Sequence, residues 1–298
     1  MYLLLKIRNR LLRVLNNFLV RYFFSFSIKN KLKKINSIKS GEFPLHMFMN
    51  SRDFSMGMIS LFYFLINSAH SYEVFIHDGG SLNKKQIKYL SEIKGLRYIS
   101  DDESDAKVSL KISRYEDLIK WRKHFKLAKK LVDLKLFSNN HDYYIYLDSD
   151  VLLIKNNLFM DNLINMYKAG KIPENFFNRD EESAYIANIS ELRESFNINL
   201  EERLNAGLIF IKKSCIDYDY IDKLLSNNIF KEFIKKREWV TEQTLYAILA
   251  SNSSNKVKHL PTQYDASLSP DYKNNISIHF LGRIRFFYMI RGVFRLFI

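Results

Sequence analysis

The sequence predicts an α/β domain, a central mostly parallel sheet flanked by helices, with a basic amphipathic helix at each end of the chain. Three observations predict it. Short apolar runs with strand character alternate with longer stretches of helical periodicity, which is the pattern of βαβ units. One strand candidate, Tyr143–Leu147, runs straight into Asp148-Ser149-Asp150, and open α/β sheets bind ligands beyond the carboxyl ends of their strands. Residues 1–35 and 285–298 set arginines and lysines against apolar and aromatic side chains, as amphipathic helices do.

The elements follow in order. Leu4, Ile7, Leu11, Leu15, Phe18 and Tyr22 recur at helical spacing, with Lys6, Arg10, Arg13, Asn17 and Arg21 opposite, so residues 1–35 are expected to be one helix. Ser40-Gly41 ends that segment. A strand at 45–50 leads to the polar Asn50-Ser51-Arg52-Asp53, and 56–67 reads as a buried helix. The strand at 72–77 closes on Asp78-Gly79-Gly80, a turn without the spacing of a phosphate loop or a dinucleotide fingerprint. Helix at 83–93, strand at 95–99 and one long basic helix at 115–137 come next. Later strands are expected at 205–211, 256–260 and 276–280, a helix at 242–250, and a basic aromatic helix at 285–298. No repeat or low-complexity linker interrupts them. The simplest organisation is a helical segment at 1–40, one catalytic-type domain at 41–283 and a tail at 284–298.

Composition bounds the function. The chain has 298 residues, long enough for a sizeable core, and only 9 glycines and 4 prolines, too few for a disordered or collagen-like chain. Its one cysteine, Cys215, excludes a disulfide framework and reads as a small structural side chain. The net charge of +14 attracts phosphates on nucleotides, nucleic acids or anionic lipids. No apolar run approaches the roughly 20 residues of a membrane span, and Lys6, Arg8, Arg10, Arg13 and Arg21 break up the first residues. No cleavable signal peptide is read there, so a cytoplasmic location is expected.

The sharpest chemical signal is the pair Asp148 and Asp150. Two carboxylates at the end of a buried strand suit a hard divalent cation, which takes oxygen ligands and bridges to phosphate. A solvated turn is the bland alternative, since turns favour Asp. The apolar runs on both sides place the pair at a sheet edge instead.

Here the sequence resembles a family, the nucleotide-sugar-dependent glycosyltransferases of the GT-A fold, and glycosyltransferase family 8 most. The resemblance covers about residues 43–288. Leu45–Asp53 fits the family's first strand and nucleotide loop, and Lys130-Leu131 stands where it usually has Arg-Leu. Asn205-Ala206-Gly207-Leu208 resembles its Asn-Ala-Gly strand, Glu242-Gln243 its Asp-Gln, and His279-Phe280 with Gly282 and Arg285 its late His-Phe-x-Gly-x-x-Lys. Lys130, Glu242 and Arg285-Phe286-Phe287 depart from the pattern.

The resemblance implies a single GT-A (Rossmann-like) domain and a metal-dependent transfer of a sugar from a nucleotide-diphosphate sugar, a UDP-sugar foremost, to a glycan or glycolipid acceptor with retention. It implies Asp148, Asp150 and His279 as ligands of Mn2+ or Mg2+, and mixed imidazole and carboxylate donors lean toward Mn2+. Asn50, Asp53, Lys130, Ser149, Asn205, Gly207, Gly282 and Arg285 would contact the donor, and Glu242 and Gln243 would lie near the anomeric carbon. Each has a plainer reading. His279 could be a core histidine, Lys130 one of several lysines on an exposed helix face, and Arg285 a solvated charge. Glu242 could simply favour a helix N-terminus, and Asn205 and Gly207 could form a bulge. Residues 171–204, which the motifs leave unassigned, are expected to contact the acceptor.

Two other classes share part of this pattern. A haloacid-dehalogenase-type phosphotransferase also begins with a strand and Asp-x-Asp, but the chain has no convincing acidic pair after Asn205. A non-enzymatic basic protein could bind phosphate backbones, but no nucleic-acid motif is present, and the two basic amphipathic ends suit an anionic membrane surface better. A bacterial enzyme of surface polysaccharide or lipopolysaccharide synthesis, peripheral on the inner face of the cytoplasmic membrane and without a nucleic-acid partner, is the expectation.

Overall fold

The computed structural model describes residues 2–297 apart from 139, 172, 255 and 283. Ten strands form one sheet: β1 (Ile38–Met49), β2 (Tyr72–Asp78), β3 (Leu96–Ile99), β4 (Tyr143–Leu147), β5 (Val151–Leu153), β6 (Asn175–Asp180), β7 (Leu204–Lys212), β8 (Val257–His259), β9 (Tyr264–Ala266) and β10 (Ser277–His279). Their order is β3-β2-β1-β4-β7-β6-β9-β10-β5, with β8 also on β6. Only the β4–β7, β6–β7 and β5–β10 pairings are antiparallel.

The helices are α1 (Tyr2–Phe23), α2 (Lys29–Lys33), α3 (Phe54–Ile66), α4 (Lys84–Ser91), α5 (Asp101–Ile112), α6 (Glu116–His124), α7 (Ala128–Phe137), α8 (Leu158–Lys168), α9 (Ile189–Phe196), α10 (Tyr218–Ser226), α11 (Asn228–Arg237) and α12 (Thr241–Ser251). They cover both sheet faces. Alternation along β4 shows why: Tyr143, Ile145 and Leu147 enter one core with α3 and α8, while Tyr144 and Tyr146 enter the other with α7 and α12. A strand covered on both faces is apolar throughout, which is how Tyr143–Leu147 reads in the sequence.

Three local expectations change. Residues 115–137 form two helices, because Phe125 is extended (φ −114°, ψ 104°). The break lets Arg122 of α6 fold back on Asp133 of α7, Nε to Oδ1 2.7 Å, with both side chains buried. On one straight helix these residues would stand about 16 Å apart along the axis. The tail beyond Arg285 is a series of short 3₁₀ and π turns rather than one helix. It is held down where the Cα of Gly292 meets Phe280, so closely that a Cβ would lie 2.8 Å from the ring. The N-terminal helix is interrupted by a π turn, Phe24–Ile28.

That N-terminal segment also packs by a different face from the one its periodicity suggests. Val20, Phe24, Ile28 and Leu32 are buried in the main core, while Leu11, Leu15, Phe18, Tyr22 and Phe26 are exposed. Among the described residues no helix is long and apolar enough to cross a membrane.

Candidate metal and phosphate site

β4 lies parallel to β1, so Asp148 and the loop after β1 emerge at the same edge of the sheet. The Asp148-Ser149-Asp150 turn is pinned on two sides. The Asp148 N–H donates to the Gly207 carbonyl of β7 (2.7 Å), and the Phe280 N–H donates to the Asp150 carbonyl (2.9 Å). β5 leaves the turn antiparallel to β10 and pairs Val151 with His279. That register brings a histidine from far along the chain beside Asp150.

His279 Nε2 stands 3.3 Å from Asp150 Oδ1 and 3.8 Å from Asp148 Oδ2. One ligand atom from each of the three residues lies within 4.8 Å of the others. The imidazole is oriented from behind. Asn205 Oδ1 accepts from the Gly207 N–H (3.0 Å) and lies 2.9 Å from His279 Nδ1, while Asn205 Nδ2 donates to Asp180 Oδ2 (3.0 Å). With Oδ1 fixed as an acceptor, Nδ1 carries the proton, and a neutral ring turns the Nε2 lone pair toward the two carboxylates. The ring covers Gly207 so tightly that a Cβ there would lie 2.3 Å from Cε1 and Nδ1. Asn205 and Gly207 thus position the histidine. Two carboxylates and an oriented imidazole are a donor set that fits a divalent transition ion.

Cations flank the acids. Arg285 Nε is 3.3 Å from Asp150 Oδ2, and its Nη2 is 3.2 Å from Asp53 Oδ1 and donates to Ser149 Oγ (3.2 Å). Burial alone would raise the Asp150 carboxyl, but Arg285 and His279 outweigh it and hold the group well below the usual carboxylate range. Burial would lower the His279 ring, and Asp150 reverses that to a net rise. On the other side, buried Lys130 Nζ stands 3.3 Å from both Asp148 Oδ1 and Glu242 Oε1. Burial pushes the Glu242 carboxyl up to about 7, against the pull of Lys130 and with a further push from Asp148.

The other sequence candidates fall around this centre. Gln243 is tied to the backbone, its Nε2 donating to the Ala184 carbonyl (3.0 Å) and its Oε1 accepting from the Ala206 N–H (3.4 Å). Asn50 accepts from the Ser81 hydroxyl (3.2 Å), so the structure ties it to the turn after β2 rather than to the two aspartates. Asp53, Gly282 and Arg285 line a cleft of ≈ 280 Å³ with Arg13 and Asn16 of α1. Lys130 is buried, which overturns its reading as one lysine on an exposed face.

Residues 171–204 contribute Asp180, the anchor of Asn205. Sequence reasoning missed that residue, because β6 carries no alternation. It also missed Tyr146, whose hydroxyl donates to Asp148, although spacing of two on one strand puts both residues on one face.

This is the GT-A fold. The chain is similar to mouse xyloside xylosyltransferase 1 in its apo form, with TM-score 0.53 and 9% identity over 81% of this chain and 98% of that one. It is also similar to the apo structure of the bifunctional glycosyltransferase WbbM, with TM-score 0.50 and 11% identity over 83% of this chain. The match spans about half of WbbM, 47% of its length. No protein-family model matches the chain, and no curated protein does.

Proposed function

We propose that this protein is a glycosyltransferase, closest in character to family 8, that moves a sugar from a nucleotide-diphosphate sugar to a glycan or glycolipid acceptor. The observation that carries the reading is the convergence of Asp148, Asp150 and an oriented His279 at the carboxyl edge of a GT-A sheet. Mn2+, or Mg2+ in its place, would be held by those three residues. When bound, such an ion neutralises the charge that develops on a leaving diphosphate.

This chain's own residues do the rest. Arg285 sits between Asp53 and Asp150, so it can follow a diphosphate oxygen without leaving the site. Buried Lys130 pairs with Asp148 and holds its carboxylate in place. Asn205, Gly207, Ser149 and Gly282 shape the donor side, with Asn50 and Asp53 in the loop toward the nucleoside. Glu242 and Gln243 would face the sugar. A UDP-sugar donor and retention of configuration belong to the family likeness.

The same reading places the enzyme on an anionic membrane surface, at the inner face of a bacterial cytoplasmic membrane and in surface-polysaccharide or lipopolysaccharide synthesis. Its support is the exposed apolar row on α1 and the following π turn, where Leu11, Phe18 and Phe26 are 65%, 62% and 75% exposed. Basic neighbours such as Arg8 and Arg10 would each add about 1 kcal/mol on an anionic leaflet.

Thermal shift with a panel of nucleotide sugars and Mn2+ tests the donor, since a bound ligand raises the melting temperature by mass action. Stabilisation by one nucleotide sugar, together with its Mn2+-dependent hydrolysis, is expected, and no response to any of them would refute the reading. Co-sedimentation with anionic and neutral vesicles tests the surface. Equal recovery in the supernatant with both would refute that part.

A further inference from the structure

A second feature lies outside the metal site. Arg13, Asn17, Arg21, Ser25 and Lys29 fall at every fourth position and form one edge of the N-terminal helical segment, between its buried row and its exposed apolar row. Arg13 and Asn17 line the ≈ 280 Å³ cleft that also holds Asp53 and Arg285. Arg21, Ser25 and Lys29 line a second cleft of ≈ 420 Å³, whose far wall includes Lys85 and Gln86. Arg52 lines both. The two clefts adjoin at Arg52 and run as a groove along the helix from Arg285, which contacts Asp150. Sixteen residue steps from Arg13 to Lys29 make it roughly 24 Å long.

Its chemistry is one-sided. Asp53 is the sole carboxylate among the lining residues of the two clefts, and it is already engaged by Arg52 and Arg285. Arg13, Arg21 and Lys29 have no carboxylate within ion-pair distance among the described residues, although Lys29 lies over the Tyr89 ring (5.9 Å to its centroid) and within the field of Glu92. Asn16 is 2% exposed. Its Oδ1 accepts from the Met289 N–H (3.0 Å), which leaves the Nδ2 donors for the cleft that Asn16 lines. A long groove with spaced cations and with amide and hydroxyl groups between them matches a polyhydroxylated chain bearing anions.

We propose that this groove, rather than residues 171–204, receives the acceptor, and that the acceptor is an anionic glycan whose phosphate or carboxylate groups sit on Arg13, Arg21 and Lys29. The inference deepens the transferase reading and rests on it. The helix would then carry out two tasks with adjacent edges, one toward a bilayer and one toward the chain that grows from it.

The test is calorimetric binding to full-length protein saturated with UDP and Mn2+. The probes are oligogalacturonate for carboxylate, pyrophosphate for phosphate and a neutral malto-oligosaccharide. An anionic probe is expected to bind the nucleotide-loaded protein and the neutral one not to. The triple variant R13Q/R21Q/K29Q should weaken the anionic probe by about tenfold or more, as loss of several charge contacts does. K235Q/K236Q/R237Q on α11 removes the same charge elsewhere and should change affinity little. Asn17→Asp, a conservative change on the exposed edge, should weaken binding as well.

Equal losses in the two triple variants would mean that overall charge binds the probe, and would overturn the proposal. So would an anionic probe that competes with UDP for one site, which would assign the groove to the donor. If UDP does not bind at all, the donor reading fails separately, and the probes are then titrated into nucleotide-free protein, where the same comparison of variants decides the groove.

Discussion

Gly207→Ala isolates the positioning of His279. A Cβ would lie 2.3 Å from Cε1 and Nδ1 and 3.0 Å from Asn205 Oδ1. Ordinary carbon contacts begin near 3.5 Å, so the ring has to retreat by about 1 Å. That is enough to break the 2.9 Å contact between Nδ1 and Asn205, since hydrogen bonds weaken beyond about 3.2 Å. Overpacking of this size costs about 1–3 kcal/mol, and the lost hydrogen bond adds about 1 kcal/mol. Freed from Asn205, the imidazole no longer holds its lone pair on the two carboxylates, and loss of such outer support typically lowers metal affinity about 10–100-fold. Mn2+ titration followed by electron paramagnetic resonance, with melting curves in the same buffer, reads both effects. Gly282→Ala is the control, because a Cβ there meets nothing within 4 Å and should leave Mn2+ affinity and melting unchanged. Wild-type Mn2+ affinity in Gly207→Ala would refute the positioning argument.

Further outcomes follow from the same contacts. Asp150→Asn keeps the side-chain shape but removes a charged ligand, so Mn2+-dependent donor hydrolysis should disappear while the far-ultraviolet circular dichroism stays the same; wild-type turnover would remove Asp150 from the metal. Lys130→Met strands Asp148 and buried Glu242 beside each other and should cost about 3–5 kcal/mol in urea unfolding. Adding Glu242→Gln should recover part of that loss, and strictly additive effects would show that the pair is not coupled. Acid should destabilise the fold through His46 and His77, buried with Nδ1 and Nε2 2.9 Å apart. Burial, then the neighbouring ring, lowers His46 well below its ordinary value, and burial with nearby cations lowers His77 to about 3. The unfolded chain binds these protons from about pH 6.5 downward while the folded one refuses them. Unfolding free energy should therefore fall by about 1.4 kcal/mol per pH unit for each proton, and a flat profile between pH 6 and 4 would exclude the pair.

How legible was this in the sequence? Strand β4 and the acids after it were plain, because a strand buried on both faces leaves a continuous apolar run and the carboxylates break it abruptly. The order of Lys130, Asp148, Asn205, Glu242 and His279 was also readable, and the structure brings those residues together. What could not be read were contacts between distant segments. Asp180 ends a strand with no periodicity, and its meaning comes only from Asn205. The split of the 115–137 helix at Phe125 goes with a buried ion pair between Arg122 and Asp133, and local propensity carries no trace of it. The N-terminal helix was open for a related reason. It has two apolar rows, Leu11 to Phe26 and Val20 to Leu32, and only the fold decides which of them faces inward.

The charge around the metal site gives a last argument about its purpose. Asp53, Asp148 and Asp150 face Lys130 and Arg285, three acids against two bases, before Glu242 and His279 are counted. Both of those groups lie buried, burial raising the Glu242 carboxyl to about 7 and Asp150 raising the His279 ring against the effect of burial. Such a cluster is close to neutral and gains little from burial, because desolvation offsets most of the attraction between buried ions. A divalent cation among Asp148, Asp150 and His279 would turn it net positive in a setting where bulk water screens little. Anionic oxygens placed against the ion and Arg285 would offset that added charge, and the groove along α1 continues from there with further positive charge. Stability alone would have favoured apolar residues at these positions, so the arrangement makes physical sense as a site that binds phosphate through a metal.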